Sequence, residues 1–442
     1  MGPDLEDSSD QAATVDRAST ASRDGVAHRP RIVVIAYACA PGRGSEPGAG
    51  WGITQALLGC GSVTAIVADE FMPSIRDWQA AHPEAPLEVV GLPEGRVAIF
   101  LGGIHRIPRF LQYLLWLRKA GLVARKLHAT GPFDVAVHAS YGAYWLPTPA
   151  VDLGIPSVWG PVGGAVATPV RLWPSLGVVG ALGEMLDLIA VRILSLLPST
   201  RRTWRQATIP VVNNIETLSA LPRPVRDRAH IINSAPFVEV EPRPRNAAGP
   251  YVIFPSALDP RKGPRLALEA FAHVRSDVRL IFAAGGPEGP ALLRMVRALG
   301  LEDRVEFTGW IPRDEMWGLL AGASAAIYTG LREEGGLALV EGMLHGVPLV
   351  VLGHGGARTV AEAGTDPGRV RILRPGRPAV TALHISRAID DLVNVPPTGT
   401  GPTYDQASHR RRYQALVMEA IGRERPAWPS RADDGHPASG PG

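Results

Sequence analysis

Two carboxylates, Glu333 and Glu341, stand eight positions apart in the stretch Ala325–Leu352, AAIYTGLREEGGLALVEGMLHGVPLVVL, with Gly335 and Gly336 between them. The glycines permit close approach of a ligand to the main chain, and the N–H groups of a helix starting there, at Leu337, form an anion site. Acids beside a phosphate cradle suit hydroxyl recognition better than phosphate contact. The combination fits a ligand with both a diphosphate and a polyol, which is a nucleotide sugar. A Gly-Gly helix start also occurs for packing alone, and Glu341 taken singly reads equally as a solvated helix residue.

Other residue groups have chemistry to offer. In YVIFPSALDPRKGPRLALEAFAHV, Pro264 fits the first turn of a helix whose buried stripe is Leu266, Ala267, Ala270, Phe271 and Val274. Arg261 and Lys262 then stand at the mouth of a strand-to-helix turn, where an incoming diphosphate relieves their mutual repulsion. A solvated basic loop is the commoner reading of an Arg-Lys pair; the strand-end position favours phosphate. Near the start, RIVVIAYACAPGRGSEPGAGWGITQAL puts Gly44, Gly48 and Gly50 in a strand-to-helix turn, with Glu46 as an acid for a cleft. That turn is neither a G-x-G-x-x-G fingerprint nor a P-loop, which disfavours a dehydrogenase or an NTPase. His138 ends DVAVHAS and is expected to point into the cleft with Ser140, although a lone histidine is more often a hydrogen-bonded structural residue. Gly163 and Gly164, in WGPVGGAVATP, form another strand-end turn. No Asp-x-Asp pair, metal-ligand cluster or G-x-S-x-G elbow occurs, so the expected chemistry needs no metal or other cofactor and is not hydrolytic.

These residues need a scaffold that gathers strand ends. RIVVIAYA (31–38), VTAIVAD (63–69), LEVVGL (87–92), DVAVHAS (134–140), PSVWG (156–160) and TIPVVN (208–213) read as strands with helical segments between them. A Pro- and charge-rich linker, 237–250, interrupts the pattern. It restarts with YVIFPSAL (251–258), VRLIFAAG (278–285), RVEFTG (304–309), AAIYTG (325–330) and VPLVVL (347–352). The expectation is α/β: two doubly wound Rossmann-like domains, 30–236 and 251–394, facing each other across a cleft. A final helix, 404–422, follows, and residues 1–29 and 423–442 have the composition of a disordered leader and tail.

Composition bounds the function. The 442 residues suffice for two cores, and the net charge of +3 is too small and dispersed to argue for nucleic acid. Cys39 and Cys60 form neither a disulfide framework nor a zinc spacing, which points to a reducing, cytoplasmic setting. No window holds the roughly 18 uncharged apolar residues of a spanning helix; Leu176–Leu197 comes nearest but carries Glu184, Asp187 and Arg192. Val97–Lys126, with Arg106, Arg109, Arg118, Lys119, Arg125 and Lys126 among apolar residues, reads either as a peripheral contact with the inner face of a membrane or, preferably, as core helices with basic solvent faces.

With these residues placed, the chain resembles the family 4 glycosyltransferases of GT-B fold from Arg31 to Gly364 and in the final helix. The carriers are GSEPGAGW, FDVAVHASYGAYWLP, GIPSVWGPVGG, PRKGPRLALEAF and LREEGGLALVEGMLHGVPLV, whose Glu333 and Glu341 occupy the family's glutamate-x7-glutamate positions. The resemblance implies a retaining, metal-independent enzyme using a nucleotide-diphosphate sugar and a hydroxyl acceptor: a lipid carrier, a glycan or a small natural product. It implies Glu341 on the ribose, Glu333 on the donor sugar, and Lys262, Arg261 and the helix start at Gly335, Gly336 and Leu337 on the diphosphate. His138 would sit near the anomeric centre, Gly48 and Gly50 in a loop over the phosphates, and Glu46, Ser140, Gly163 and Gly164 on the acceptor side. The final helix would return to brace the first domain. One departure stands out: the family's Gly-Arg pair at the first strand end of the donor domain is Ser256-Ala257 here. The alternatives are a non-catalytic GT-B binding protein and a sugar-nucleotide epimerase.

Overall fold

The computed structural model describes residues 29–94, 106–243, 251–394 and 402–423. Within them the apolar runs form two wholly parallel sheets. The first is built from β1 (Arg31–Ile35), β2 (Ser62–Ala68), β3 (Leu87–Leu92), β4 (Val135–His138), β5 (Ser157–Val162), β6 (Ile209–Val212) and β7 (His230–Ile231). The second is built from β8 (Tyr251–Phe254), β9 (Arg279–Phe282), β10 (Val305–Phe307), β11 (Ala325–Tyr328), β12 (Leu349–Leu352) and β13 (Val370–Leu373). Their orders are β3-β2-β1-β4-β5-β6-β7 and β10-β9-β8-β11-β12-β13. Each order reverses beside its first strand, and ligands of such sheets bind outside the strand C-termini at that point. The central strands are apolar on both faces because helices cover both; Ile32 through Ile35 are fully buried.

Linker residues 244–250, Val97 to His105, the leader through residue 28 and the tail from 424 lie outside the described residues. From Arg106 to Thr130 the chain is one helix. Tyr113, Trp116, Leu117, Ala120 and Ala124 pack it onto β1, while Arg118, Lys119, Arg125 and Lys126 face outward. The helix Gln406–Ile421 lies in the core of the first domain through Tyr413, Leu416, Val417 and Ala420, and the Tyr413 hydroxyl donates to the Gly160 carbonyl at 2.7 Å. Among the described residues no helix is long and apolar enough to cross a membrane.

Candidate functional site

A cavity of about 480 Å³ lies between the two sheets and takes its walls from both domains. The second domain supplies most of it. Lys262 ends the short 3-10 turn Pro260–Lys262, and Gly263 follows with φ +69°. A Cβ on Gly263 would lie 2.3 Å from the Thr329 carbonyl oxygen, so only glycine brings this turn against the end of β11. Lys262 Nζ donates to Glu333 Oε2, while Glu333 Oε1 accepts from the Gly336 N–H at 3.0 Å. Burial raises the Glu333 carboxyl, but Lys262 and the N–H groups of Gly336 and Gly335 outweigh it and hold the pKa below the ordinary value. Gly336, at φ +81°, turns the chain into the helix Leu337–Leu344. Glu333 thus caps the positive end of that helix as well as pairing with the lysine.

Glu341 sits one turn into the same helix and is buried. Its Oε1 accepts from Arg313 Nε at 3.0 Å and Trp317 Nε1 at 3.1 Å, and Arg313 stacks over the Trp317 ring at 4.6 Å. Glu341, Lys262, Glu333, Gly335, Gly336 and Leu337 therefore line one wall of a single cleft, together with Ser256, Ala257 and the exposed ring of Trp310. Lys262 is the cation among these lining residues.

Four expectations about the site need correction. His138 is buried away from the cleft: Nδ1 bonds Thr148 Oγ1 at 2.9 Å and Nε2 meets the Tyr113 hydroxyl at 3.4 Å. Burial pushes its imidazole down to about 4. Ser140 is likewise buried, its Oγ accepting from the Ala38 N–H at 3.1 Å. His138 is covered by Thr148 and by Tyr113 of the helix Arg106–Thr130, and Ser140 by Ala38 and Gly50. Gly48 and Gly50 are not in a loop; the helix begins at Ser45. Cβ atoms there would lie 2.0 Å from the Arg43 carbonyl oxygen and 2.1 Å from that of Ala38, so these glycines seat the helix against the preceding chain. Arg261 turns to its neighbour Asp259 (Nε–Oδ1 3.3 Å), beside a second cavity, although its carbonyl accepts the N–H groups of Leu331 and Arg332 and so braces the loop before Glu333.

From the first domain, Glu46 lines the cleft and accepts the Tyr141 N–H at 3.0 Å; burial pushes its carboxyl up. Gly163 and Gly164 lie where the two domains touch, and the residue they admit, Glu334, escaped sequence reasoning. Glu334 Oε1 accepts from the Val166 N–H at 3.0 Å and Oε2 from Asn214 Nδ2 at 2.9 Å. Its main-chain oxygen accepts from Asn233 Nδ2 at 3.2 Å, and a Cβ on Gly163 would stand 2.7 Å from Oε2. Nearby, the Gly355 N–H donates to Glu216 Oε1 at 3.1 Å and His354 Nε2 meets the Ala167 carbonyl oxygen at 2.7 Å. Arg332 adds pairs to Glu184 and Asp187 at 3.2 and 2.8 Å. Arg313, Trp317, Arg332 and the Asn213–Asn214 pair carried no sequence signal, since their partners are remote in the chain. Among the described residues no three His, Cys, Asp or Glu side chains converge as a metal site.

The solved structures that this architecture resembles decide its type. The lipopolysaccharide outer core galactosyltransferase WaaB, in its apo form, matches with TM-score 0.55 at 13% identity over 88% of this chain and 99% of that one. HepE of Anabaena in complex with UDP matches with TM-score 0.51 at 15% identity over 88% and 100%. The fold is GT-B. Within this GT-B chain, residues 239–391 match the family model described as glycosyl transferases group 1, which spans the second domain and the wall just described. In sequence, the 2-deoxystreptamine glucosyltransferase of Streptomyces kanamyceticus is 27% identical over 290 residues, covering 63% of this chain and 66% of that protein. The chain thus spans just under two thirds of that relative's length, and about a third of the other curated relatives it matches.

Proposed function

We propose that this chain is a retaining, metal-independent glycosyltransferase that moves a sugar from a nucleotide-diphosphate sugar to a hydroxyl acceptor. The observation that carries the reading is the meeting of Lys262, Glu333, the Gly335–Gly336 helix start and Glu341 on one cleft wall. In this reading Arg313 and Trp317 fix Glu341 through Oε1, and Oε2 takes the ribose hydroxyls. Trp310 offers a ring face for the base. Lys262 and the helix start receive the diphosphate, whose negative charge grows as the glycosidic bond breaks, so a preorganised positive site lowers the barrier. Glu333 then shares its charge-assisted bonds between Lys262 and the hydroxyls of the transferred sugar. Glu46 and the Gly163–Gly164 turn bound the acceptor side. Because Arg261 is turned to Asp259 and position 257 is alanine, Lys262 carries the cationic role at the cleft. The working location is the cytoplasm, where nucleotide sugars and reduced cysteines coexist.

The names of the relatives direct the first trials to UDP sugars and to aminocyclitol, glycan and lipid-carrier acceptors. Transfer is read by mass spectrometry, anomeric configuration by NMR, and metal independence by activity in EDTA. Glu341→Ala and Lys262→Ala should each lower kcat/KM by about a hundredfold or more, the scale of losing one preorganised charge-stabilising group. Near wild-type turnover in both variants refutes the assignment. The substitution at position 257 favours one second reading, a non-catalytic GT-B protein that binds a nucleotide sugar; detected transfer excludes it, and conversion of donor without acceptor marks an epimerase instead.

A further inference from the structure

The helix Gly177–Leu194 of the first domain turns most of its large apolar side chains outward. Its protein-facing side mixes small, acidic and apolar residues: Gly180, Glu184, Asp187, Val191 and Leu194. Glu184 is buried, accepting the Thr168 N–H at 2.7 Å, and both acids pair with Arg332. On the opposite side Val178, Leu182, Leu186, Ile189 and Ile193, spaced by three or four residues, are 52–88% exposed, and Leu196 follows just past the helix end. At 100° per residue these five fall within one arc of about 80°. A stripe of this kind, about 22 Å long at 1.5 Å per residue, exceeds the scattered exposed apolar residues of ordinary surfaces. Exposed cations follow toward the C-terminal end of the stripe: Arg192 on the helix, then Arg201 and Arg205 on the next helix, Pro198–Gln206. The outward face of Arg106–Thr130, by contrast, interrupts its leucines with four cations.

We propose that Gly177–Leu194 lies flat in the interface of an anionic lipid bilayer, its apolar stripe among the upper acyl chains and Arg192, Arg201 and Arg205 at the headgroups. An amphipathic helix with cations beside its stripe binds there through apolar burial plus attraction to anionic lipid. Of the two acids on the helix, Glu184 is buried and Asp187 is neutralised by its pair with Arg332. Through the same arginine the helix is fixed to the loop that carries Glu333 and Glu334, so docking sets the orientation of the cleft toward the membrane surface.

Flotation of the full chain with vesicles tests this independently of any catalytic reading. Wild-type protein should float with phosphatidylcholine–phosphatidylglycerol vesicles and about tenfold or more less with phosphatidylcholine alone. L186E/I189E, at two exposed positions, should keep the wild-type unfolding midpoint and lose binding by about tenfold or more. R192Q/R205Q should weaken binding to the anionic vesicles only, and chiefly at low salt. Absence of flotation overturns the proposal, as does equal flotation of wild type and L186E/I189E. Light scattering that shows a two-copy particle in wild type and one copy in L186E/I189E would assign the stripe to self-association instead.

Discussion

Glu334→Ala should loosen the two domains without unfolding either. The carboxylate makes two bonds to the first domain, from the Val166 N–H and Asn214 Nδ2. A hydrogen bond to a charged group contributes about 1.5–3 kcal/mol. Glu334 is only partly buried, so the low end applies to each. Losing both should cost about 3 kcal/mol of interdomain closure, roughly a hundredfold in the opening equilibrium. Glu334→Gln separates the two contacts. Its amide oxygen can still serve Val166, but its NH₂ would face the NH₂ of Asn214. Asn214 cannot turn over cheaply, because Oδ1 already accepts from Thr217 N at 2.9 Å and Thr217 Oγ1 at 2.8 Å as the cap of the helix Ile215–Ala220. The glutamine variant should therefore lose about half the effect, roughly tenfold in opening. The Gly355 amide is the reporter, since it is held by Glu216 of the first domain and does not touch the Glu334 side chain. Its hydrogen exchange should quicken about a hundredfold in the alanine variant and about tenfold in the glutamine variant, while amides inside β1 keep wild-type protection. Unchanged Gly355 exchange in Glu334→Ala would refute the clasp, and β1 exchange rising in step would show that the change is global.

Three further outcomes follow from the same geometry. Arg332→Gln leaves Glu184 buried without its cation, although the Thr168 N–H remains, and should lower unfolding stability by about 3 kcal/mol; Glu184→Gln in the Arg332→Gln background should then cost little, and additive losses in a urea double-mutant cycle would contradict the pairing. Burial holds His138 at about 4, below the roughly 6.5 of an unfolded histidine, so the unfolded chain binds the extra proton first. Stability should be intact above pH 6.5 or so and fall by up to about 3 kcal/mol toward pH 4, and His138→Gln should flatten that part of the curve; an unchanged slope would count against it. Gly50→Ala forces a Cβ to within 2.1 Å of the Ala38 carbonyl oxygen and should cost about 3 kcal/mol or more, whereas Gly183→Ala, with nothing within 4 Å, should gain up to about 1 kcal/mol by helix propensity; equal thermal shifts for the two would refute the packing argument.

Sequence reasoning located what depends on local pattern. Fully buried parallel strands appear as continuous β-branched runs, so β1, β2, β8, β11 and β12 were legible to within a few residues. Of the four edge strands β3 and β10 were legible but β7 and β13 were not: β7 is two residues long, and β13 alternates rather than running apolar, with Ile372 40% exposed. The placement of Lys262, Glu333 and Glu341 together was legible because strand ends and helix starts are set by glycine and proline signals nearby. Side-chain direction was harder. His138 does end β4 and Ser140 follows two residues on, but whether a side chain there meets solvent depends on what covers it, and Thr148, Tyr113 and Ala38 do so here. Glycine disfavours helices, so Gly48 and Gly50 read as a turn in the sequence; the helix tolerates them where the main chain must pass within contact distance.

Residues 332 to 336 bring these strands of argument to one loop. Arg332 reaches the helix Gly177–Leu194, Glu333 reaches Lys262, Glu334 reaches Val166 and Asn214, and Gly335–Gly336 start the helix that carries Glu341. Successive side chains of an extended or turning segment point in different directions, so adjacent residues can serve separate partners only if the loop is fixed at each one. Any event that moves one contact is then felt by the others. A diphosphate competing for Lys262 would release Glu333 from its pair, and the adjoining bonds of Arg332 and Glu334 place that release within one residue of both interdomain contacts. Donor binding and domain closure should therefore be thermodynamically linked. Glu334→Ala ought to weaken nucleotide-diphosphate affinity although its carboxylate is spent on Val166 and Asn214. If calorimetry finds that affinity unchanged while Gly355 exchange quickens, closure and donor binding are separate properties of this loop.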